Sequence, residues 1–224
     1  MKKLLFTAIF ALAAVAASAQ TLVVYYSRPG KNYTSDGIVN LKKGNTQVVA
    51  EQIQKLTGAD IFRLETVRQY AADYYECTQE AKEEKNANAR PALKADIDIS
   101  KYDTIYLGWP CWWGTYPMCV ATFLEAHDLT GKTVIPFTTH EGSGFGSGLS
   151  DLKKALLTAT VTKGLSIQGS KVGPDGKRCI QPVGRIHQAD ALLCAEVRTD
   201  RLMERHQLVA CSLGNLPRYG KAVA

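Results

Sequence analysis

The stretch YDTIYLGWPCWWGTYPMCVATFLEAHDL, residues 102–129, decides the fold. Residues 102–109 form an apolar, β-branched and aromatic run of strand length. Residues 117–129 carry apolar side chains at helical spacing behind a proline that suits a first turn. Between them lies PCWWGTYP, Pro110 to Pro117, a loop that places Trp112 and Trp113 side by side between prolines and a glycine. A buried strand that runs through a short loop into a helix is half of a βαβ unit.

The same alternation extends in both directions. TLVVYYS, 21–27, is a strand buried on both faces, and NTQVVAEQIQKL, 45–56, spaces Val48, Val49, Ile53 and Leu56 as a helix opening at Gly44. DIFRLET, 60–66, is a second strand, and the Ala/Glu/Lys-rich segment 69–87 is a solvated helix. KTVIPFTT, 132–139, is a fourth strand. SDLKKALL, 150–157, is a helix with Ser150 as its cap. ATVTKGLSIQG, 159–169, is a fifth strand or a pair of short ones. Four or more strand–helix alternations predict an α/β three-layer sandwich, a parallel sheet with helices on both faces. The segment RPGKNYTSDGIVNLKK, 28–43, is longer than such connections usually are. It is either a functional cover or a mobile insert.

The first twenty residues, MKKLLFTAIFALAAVAASAQ, carry Lys2 and Lys3, an apolar run from Leu4 to Ala17, and the small-residue site Ala17-Ser18-Ala19. This pattern predicts a signal peptide, residues 1–19, and an exported protein, periplasmic or extracellular. The apolar run is too short and alanine-rich for a membrane span, so none is expected in the mature chain. The net charge is +6, but residues 20–172 carry 17 Lys+Arg against 16 Asp+Glu, which argues against a nucleic-acid partner. Six cysteines show no C-x-x-C spacing, so no zinc site is expected. An oxidising compartment would permit disulfides; burial as small apolar residues is the plainer role for Cys77, Cys111 and Cys119.

Three unusual loops fall at the carboxyl ends of strands, where open parallel sheets bind ligands. The first pairs Ser27 with Gly44-Asn45-Thr46: two hydroxyls, a glycine and the free amides of a helix start, which suit a phosphate. A plain helix cap would need the same residues. Neither G-x-x-x-x-G-K-[ST] nor G-x-G-x-x-G is present. The second is Pro110–Pro117, whose tryptophans could lid the core or hold a flat ring. The third, HEGSGFGSG, 140–148, exposes backbone donors around Gly142, Gly144 and Gly146. It could equally be a flexible turn. No residue is a dedicated acid–base catalyst. His140 and Glu141 are candidates that a solvated loop pair would also explain, His127 suits a helix-end cap, and Tyr116 suits either ring contact or core.

The motifs YYS…KKGNTQVVAEQI, LGWPCWWGTYP and PFTTHEGSGFGSGLSDLK together resemble the bacterial flavodoxin-like family in its short, exported branch, over residues 21–172. The resemblance implies a five-stranded sheet of order 2-1-3-4-5 with non-covalent FMN at the switch point. It implies that Ser27, Gly44, Asn45 and Thr46 cradle the FMN phosphate. Pro110, Trp112, Trp113 and Gly114 would line the isoalloxazine, with one tryptophan stacked, and Thr139, His140, Gly142 and Gly144 would border its pyrimidine edge. The implied function is electron transfer to a redox partner protein or a small-molecule acceptor. An FMN-dependent NAD(P)H:quinone-type reductase and a non-catalytic exported flavin- or ligand-binding protein are the alternatives. Two departures stand out: the 16 residues 28–43 inside the phosphate loop, and the tail 173–224, with 2 Lys and 6 Arg against 15 and 4 before it. The tail is expected to be an atypical, poorly ordered ending. A lineage-specific extension with a helix near 188–210 is the other reading.

Overall fold

The computed structural model describes residues 20–35 and 37–173. The expectations for the leader and for almost all of the tail concern residues outside that range. Eight strands and four helices follow in order: β1 Gln20–Tyr26, β2 Gly30–Thr34, β3 Gly37–Leu41, α1 Asn45–Thr57, β4 Asp60–Leu64, α2 Tyr74–Asn86, β5 Tyr102–Pro110, α3 Met118–Ala126, β6 Thr133–His140, α4 Gly148–Ala155, β7 Thr160–Val161 and β8 Leu165–Gln168. The main sheet runs β4-β1-β5-β6-β7, with β8 also on β6, and every pairing in it is parallel. Without the β2–β3 hairpin this is the order 2-1-3-4-5, its fifth position filled by two short pieces.

A proline explains that split. Pro136 sits mid-strand in β6, paired with Leu107 on the β5 side. β7 pairs with residues 133–134 and β8 with residues 137–140, so the fifth strand breaks opposite Pro136. Proline offers no N–H to a ladder. The chain passes it at Gly164, with φ +67°, where a Cβ would stand 2.1 Å from the Pro136 carbonyl oxygen.

Alternate side chains of the central strands enter two cores. Leu22, Val24, Ile105, Leu107 and Trp109 pack with Phe123 of α3 and Leu152 of α4. Val23, Tyr25, Tyr106, Ile135 and Phe137 pack with Val49, Ala50 and Ile53 of α1. Both faces of the central strands are therefore covered, as their continuous apolar sequences require. Gly108 is where Phe137 crosses β5: a Cβ there would lie 2.0 Å from the ring.

Three element boundaries differ from the sequence expectation. The second helix begins at Tyr74, not 69. The Asp73 carboxylate accepts from the amides of Tyr75 and Glu76 and caps it, while residues 69–73 stay as loop. Ser150 is not the cap of α4: the helix starts at Gly148 behind Ser147, and Ser150 Oγ donates to the Ser147 carbonyl from inside the first turn. Pro117 occupies the cap position of α3, one residue before its first turn. The segment 28–43 is not long in effect, because Gly30–Thr34 and Gly37–Leu41 pair as antiparallel strands.

Candidate functional site

The switch point of the sheet lies between β1 and β5, where successive connections leave in opposite directions along the sheet. A cleft opens there, lined by Ser27, Arg28, Asn45, Thr46, Pro110, Cys111, Trp112, Thr139, His140, Glu141 and Gly169, with Asn32, Tyr33 and Tyr74 from the hairpin and α2.

The hairpin folds out and returns the chain to its starting point, so Ser27 and Gly44 are neighbours despite the 16 residues between them. A Cβ on Gly44 would stand 2.3 Å from Ser27 Oγ and 2.5 Å from the Arg28 carbonyl oxygen. Gly44 caps α1 without a side chain, and Ser27 supplies the missing acceptor: Gln47 N–H donates to its Oγ at 3.1 Å. That leaves the amides of Asn45 and Thr46 as the open donors of the first turn. Thr46 Oγ1 lies 2.7 Å from Thr139 Oγ1, both side chains buried, which ties this helix start to the end of β6.

The tryptophan loop is a tight turn. Trp112 and Thr115 exchange both backbone hydrogen bonds, at 2.9 and 3.0 Å. Trp113 and Gly114 between them take positive φ, +49° and +77°, as a primed hairpin turn demands. The turn sends the two indoles apart. Trp112 stays on the cleft, held edge-on by Tyr26 and Tyr70 with centroids 5.4 and 5.1 Å away. Trp113 lies outside it, on α2: its Nε1–H donates to Thr78 O at 2.8 Å, and Lys82 Nζ sits 5.1 Å from the ring centroid. The glycines of the third loop all stay off the cleft lining. Gly146 presses on Gly114, where a Cβ would meet the Gly114 carbonyl oxygen at 2.1 Å. Gly114, Gly142 and Gly144 are not among the lining residues.

The surroundings of His140 favour its neutral form. Gly142 N–H donates to its Nδ1 at 2.9 Å, which leaves the imidazole proton on Nε2. Burial, and then the nearby Lys171, hold its pKa below the ordinary value. Glu141 is the unusual group. Both carboxylate oxygens are shut from solvent without a hydrogen-bond partner of good geometry, and burial raises its pKa although Ser170 and Gln168 face it. A Cβ on Gly169 would meet Glu141 Oε1 and Asn45 Nδ2 at 2.4 Å each. His127 and Tyr116 are structural. The His127 ring bridges the carbonyls of Phe123 and Ile97 at 2.8 and 3.0 Å, and Tyr116 packs edge-on to Trp109 at 5.7 Å.

Sequence reasoning missed Arg28, Asn32, Tyr33, Tyr74, Cys111 and Gly169 as lining residues. Asn32 and Tyr33 carried a signal, a polar–aromatic pair in an overlong loop, but nothing local says where such a loop folds. Among the described residues no group of His, Cys, Asp and Glu could hold a metal ion, and no helix is long and apolar enough to cross a membrane.

An open parallel sheet with open helix-start amides and a braced aromatic at its switch point is the architecture of the doubly wound class, which binds ligands at that point. The family model described as Flavodoxin matches residues 39–180, and the chain belongs to that family. The match begins inside β3, so most of the β2–β3 hairpin precedes it. Among solved structures, a candidate flavoprotein from Bacteroides eggerthii is 24% identical with a TM-score of 0.57, covering 84% of this chain and 100% of its own. A second, from Bacteroides uniformis, is 27% identical with a TM-score of 0.53, covering 65% and 88%. A Lactobacillus acidophilus flavoprotein in complex with FMN is 20% identical with a TM-score of 0.52, covering 69% and 96%. The comparison with curated proteins found no match.

Proposed function

We propose that the chain binds FMN non-covalently and serves as an exported electron carrier, its bound FMN passing electrons on to a redox partner protein or a small-molecule acceptor. The observation that carries this reading is convergence: the open amides of α1, the buried hydroxyls of Ser27 and Thr46, and the edge-braced Trp112 meet in one cleft at the switch point. The residues fit the cofactor. A phosphate at the α1 start needs no metal and no free cation, and Arg28 and Lys43 are committed elsewhere, to the Ala71 and Ala72 carbonyls and to Glu51.

Bound FMN would supply the redox chemistry. This chain supplies position and electrostatics. Asn45 and Thr46 hold the phosphate end, with the Thr46–Thr139 bond fixing the distance to β6. Trp112 gives the ring a flat apolar contact whose angle is set before the ligand arrives. His140, neutral at pH 7, adds no cation beside the ring. The FMN complex of the Lactobacillus acidophilus protein supports the cofactor, and the leader sequence supports export.

The test is an absorption spectrum of the purified protein after incubation with FMN and desalting. Flavin bands that stay with the protein, and that Trp112→Ala shifts or removes, are the expected result. A colourless protein would sink the reading.

A further inference from the structure

We infer that Tyr33, carried in by the β2–β3 hairpin, is the second aromatic of the flavin cleft and covers the ring face that Trp112 leaves open; this rests on the FMN reading above. The adjacent tryptophans supply only one ring to the cleft, because the turn commits Trp113 to α2. The inserted hairpin supplies another. Asn32 and Tyr33 line the same cleft as Ser27, Thr46 and Trp112.

Tyr33 is placed as a platform. Tyr33 is 53% exposed, yet its ring is stacked on that of Tyr74 with centroids 6.4 Å apart and planes at 30°. The hairpin beneath it is anchored at both sides. The Arg28 guanidinium donates to the carbonyls of Lys31, Ala71 and Ala72. Asn32 Nδ2 donates to Arg28 O at 3.2 Å and Gly30 O at 2.9 Å. Lys31 pairs with Asp73 at 3.3 Å, and Asp73 caps the helix that begins with Tyr74. One network thus fixes both tyrosines. An exposed aromatic that is oriented and backed, but not buried, is ready for a planar ligand, and its order is already in place before binding. The interruption of the phosphate loop is then a cofactor-binding wall that belongs to this chain, and it limits water and solutes at the ring.

The experiment compares the unmodified protein with Tyr33→Ala and Tyr33→Phe by FMN titration, with bound-flavin fluorescence and its quenching by iodide as readouts. Loss of one ring contact should weaken Kd about three- to tenfold. Tyr33→Ala should also brighten the bound flavin and open it to iodide. Tyr33→Phe, which keeps the ring contact, should keep the Kd and the shielding from iodide of the unmodified protein. Because Tyr33 is a surface residue, Tyr33→Ala should keep the far-ultraviolet circular dichroism of the parent; if it does not, Tyr33→Leu, which keeps bulk without a ring, must reproduce the brightening and iodide access. If the ring-less variant bound FMN with unchanged Kd and unchanged iodide access, Tyr33 would be no part of the site, although the protein would remain an FMN binder. If the unmodified protein took up no FMN, the FMN reading would fall and this inference with it.

Discussion

Glu141 is a carboxylate kept from water with no hydrogen-bond partner of good geometry, although Ser170 and Gln168 face it. Burial raises its pKa above the ordinary carboxyl value, and the facing Ser170 and Gln168 only partly oppose that shift. The sign follows from linkage. Between the ordinary value and the raised folded value, the native state holds a proton that the unfolded chain has released. Stability therefore falls as pH rises through that window, and the full penalty stands above it. Glu141→Gln keeps the shape and removes the charge. It should stabilise the protein at pH 7 by about 1 kcal/mol, the low end for an unsatisfied buried group because the residue as a whole is only half-buried. The gain should shrink toward zero as pH drops through the ordinary carboxyl range. Urea unfolding of both proteins from pH 4 to pH 8 checks this, and a gain that grew in acid would refute the sign. His140 runs the other way. Its lowered folded value costs stability as pH falls below the ordinary imidazole value, but equally in both proteins. At this scale the sequence was legible wherever chemistry is local. Ser27, Asn45, Thr46, Pro110, Trp112, Thr139 and His140 all line one cleft. It was not legible where a backbone angle decides. Nothing in WWG says that Trp113 takes φ +49° and turns away.

Elements followed from periodicity, and their ends did not. The strands of the sheet were plain because their runs are apolar on both faces, and the sheet order followed from resemblance. The start of α2 was misjudged because Ala71 and Ala72 favour helix, whereas Asp73 stops the helix by capping it and Arg28 holds those same alanine carbonyls in a loop. That second cause is a tertiary contact 43 residues distant in sequence, beyond any local pattern. The hairpin was hidden for a related reason: GKNYT and GIVNL are too short and too polar to announce strands, and they pair with each other rather than with the sheet. Arg28 is therefore the residue on which two elements depend. Arg28→Met keeps most of the stem and loses the charged donors, each such bond contributing about 1.5–3 kcal/mol at most. Hydrogen exchange should quicken about tenfold or more across 30–41 and 67–73 and stay near its original rate in β1, β5 and β6. Uniform acceleration over the whole sheet would show that Arg28 supports the core instead of the hairpin.

Across the whole molecule the sheet divides two cores, and three thiols sit at unlike depths around the one that α3 covers. Cys119 is fully buried in the core beneath α3, a helix that also buries Met118, Val120, Ala121, Phe123 and Leu124. Cys77 is buried under α2, which otherwise buries only Ala81. Cys111 is half-buried and lines the cleft. All three are free in the structure; Cys179, Cys194 and Cys211 lie outside the described residues. Burial pushes the Cys77 thiol up to about 11 and the Cys119 thiol higher still. The thiolate is the reactive form, so at pH 8 each must first be exposed by opening of the structure. Opening is graded: a helix that buries little detaches at lower free energy than one that carries the core. Alkylation with iodoacetamide in rising urea, read peptide by peptide, should therefore modify Cys111 first, Cys77 next and Cys119 last. Cys119 should follow the global unfolding curve, while Cys77 should react at urea concentrations where the sheet is still intact. Without urea, adding FMN should slow Cys111 directly, since it is the thiol on the cleft; in urea it should also move Cys119 to higher urea with the global unfolding curve. If Cys77 and Cys119 reacted together, α2 would belong to the same cooperative unit as α3, and the wall that holds Tyr74 and Tyr33 would be as firm as the core behind it.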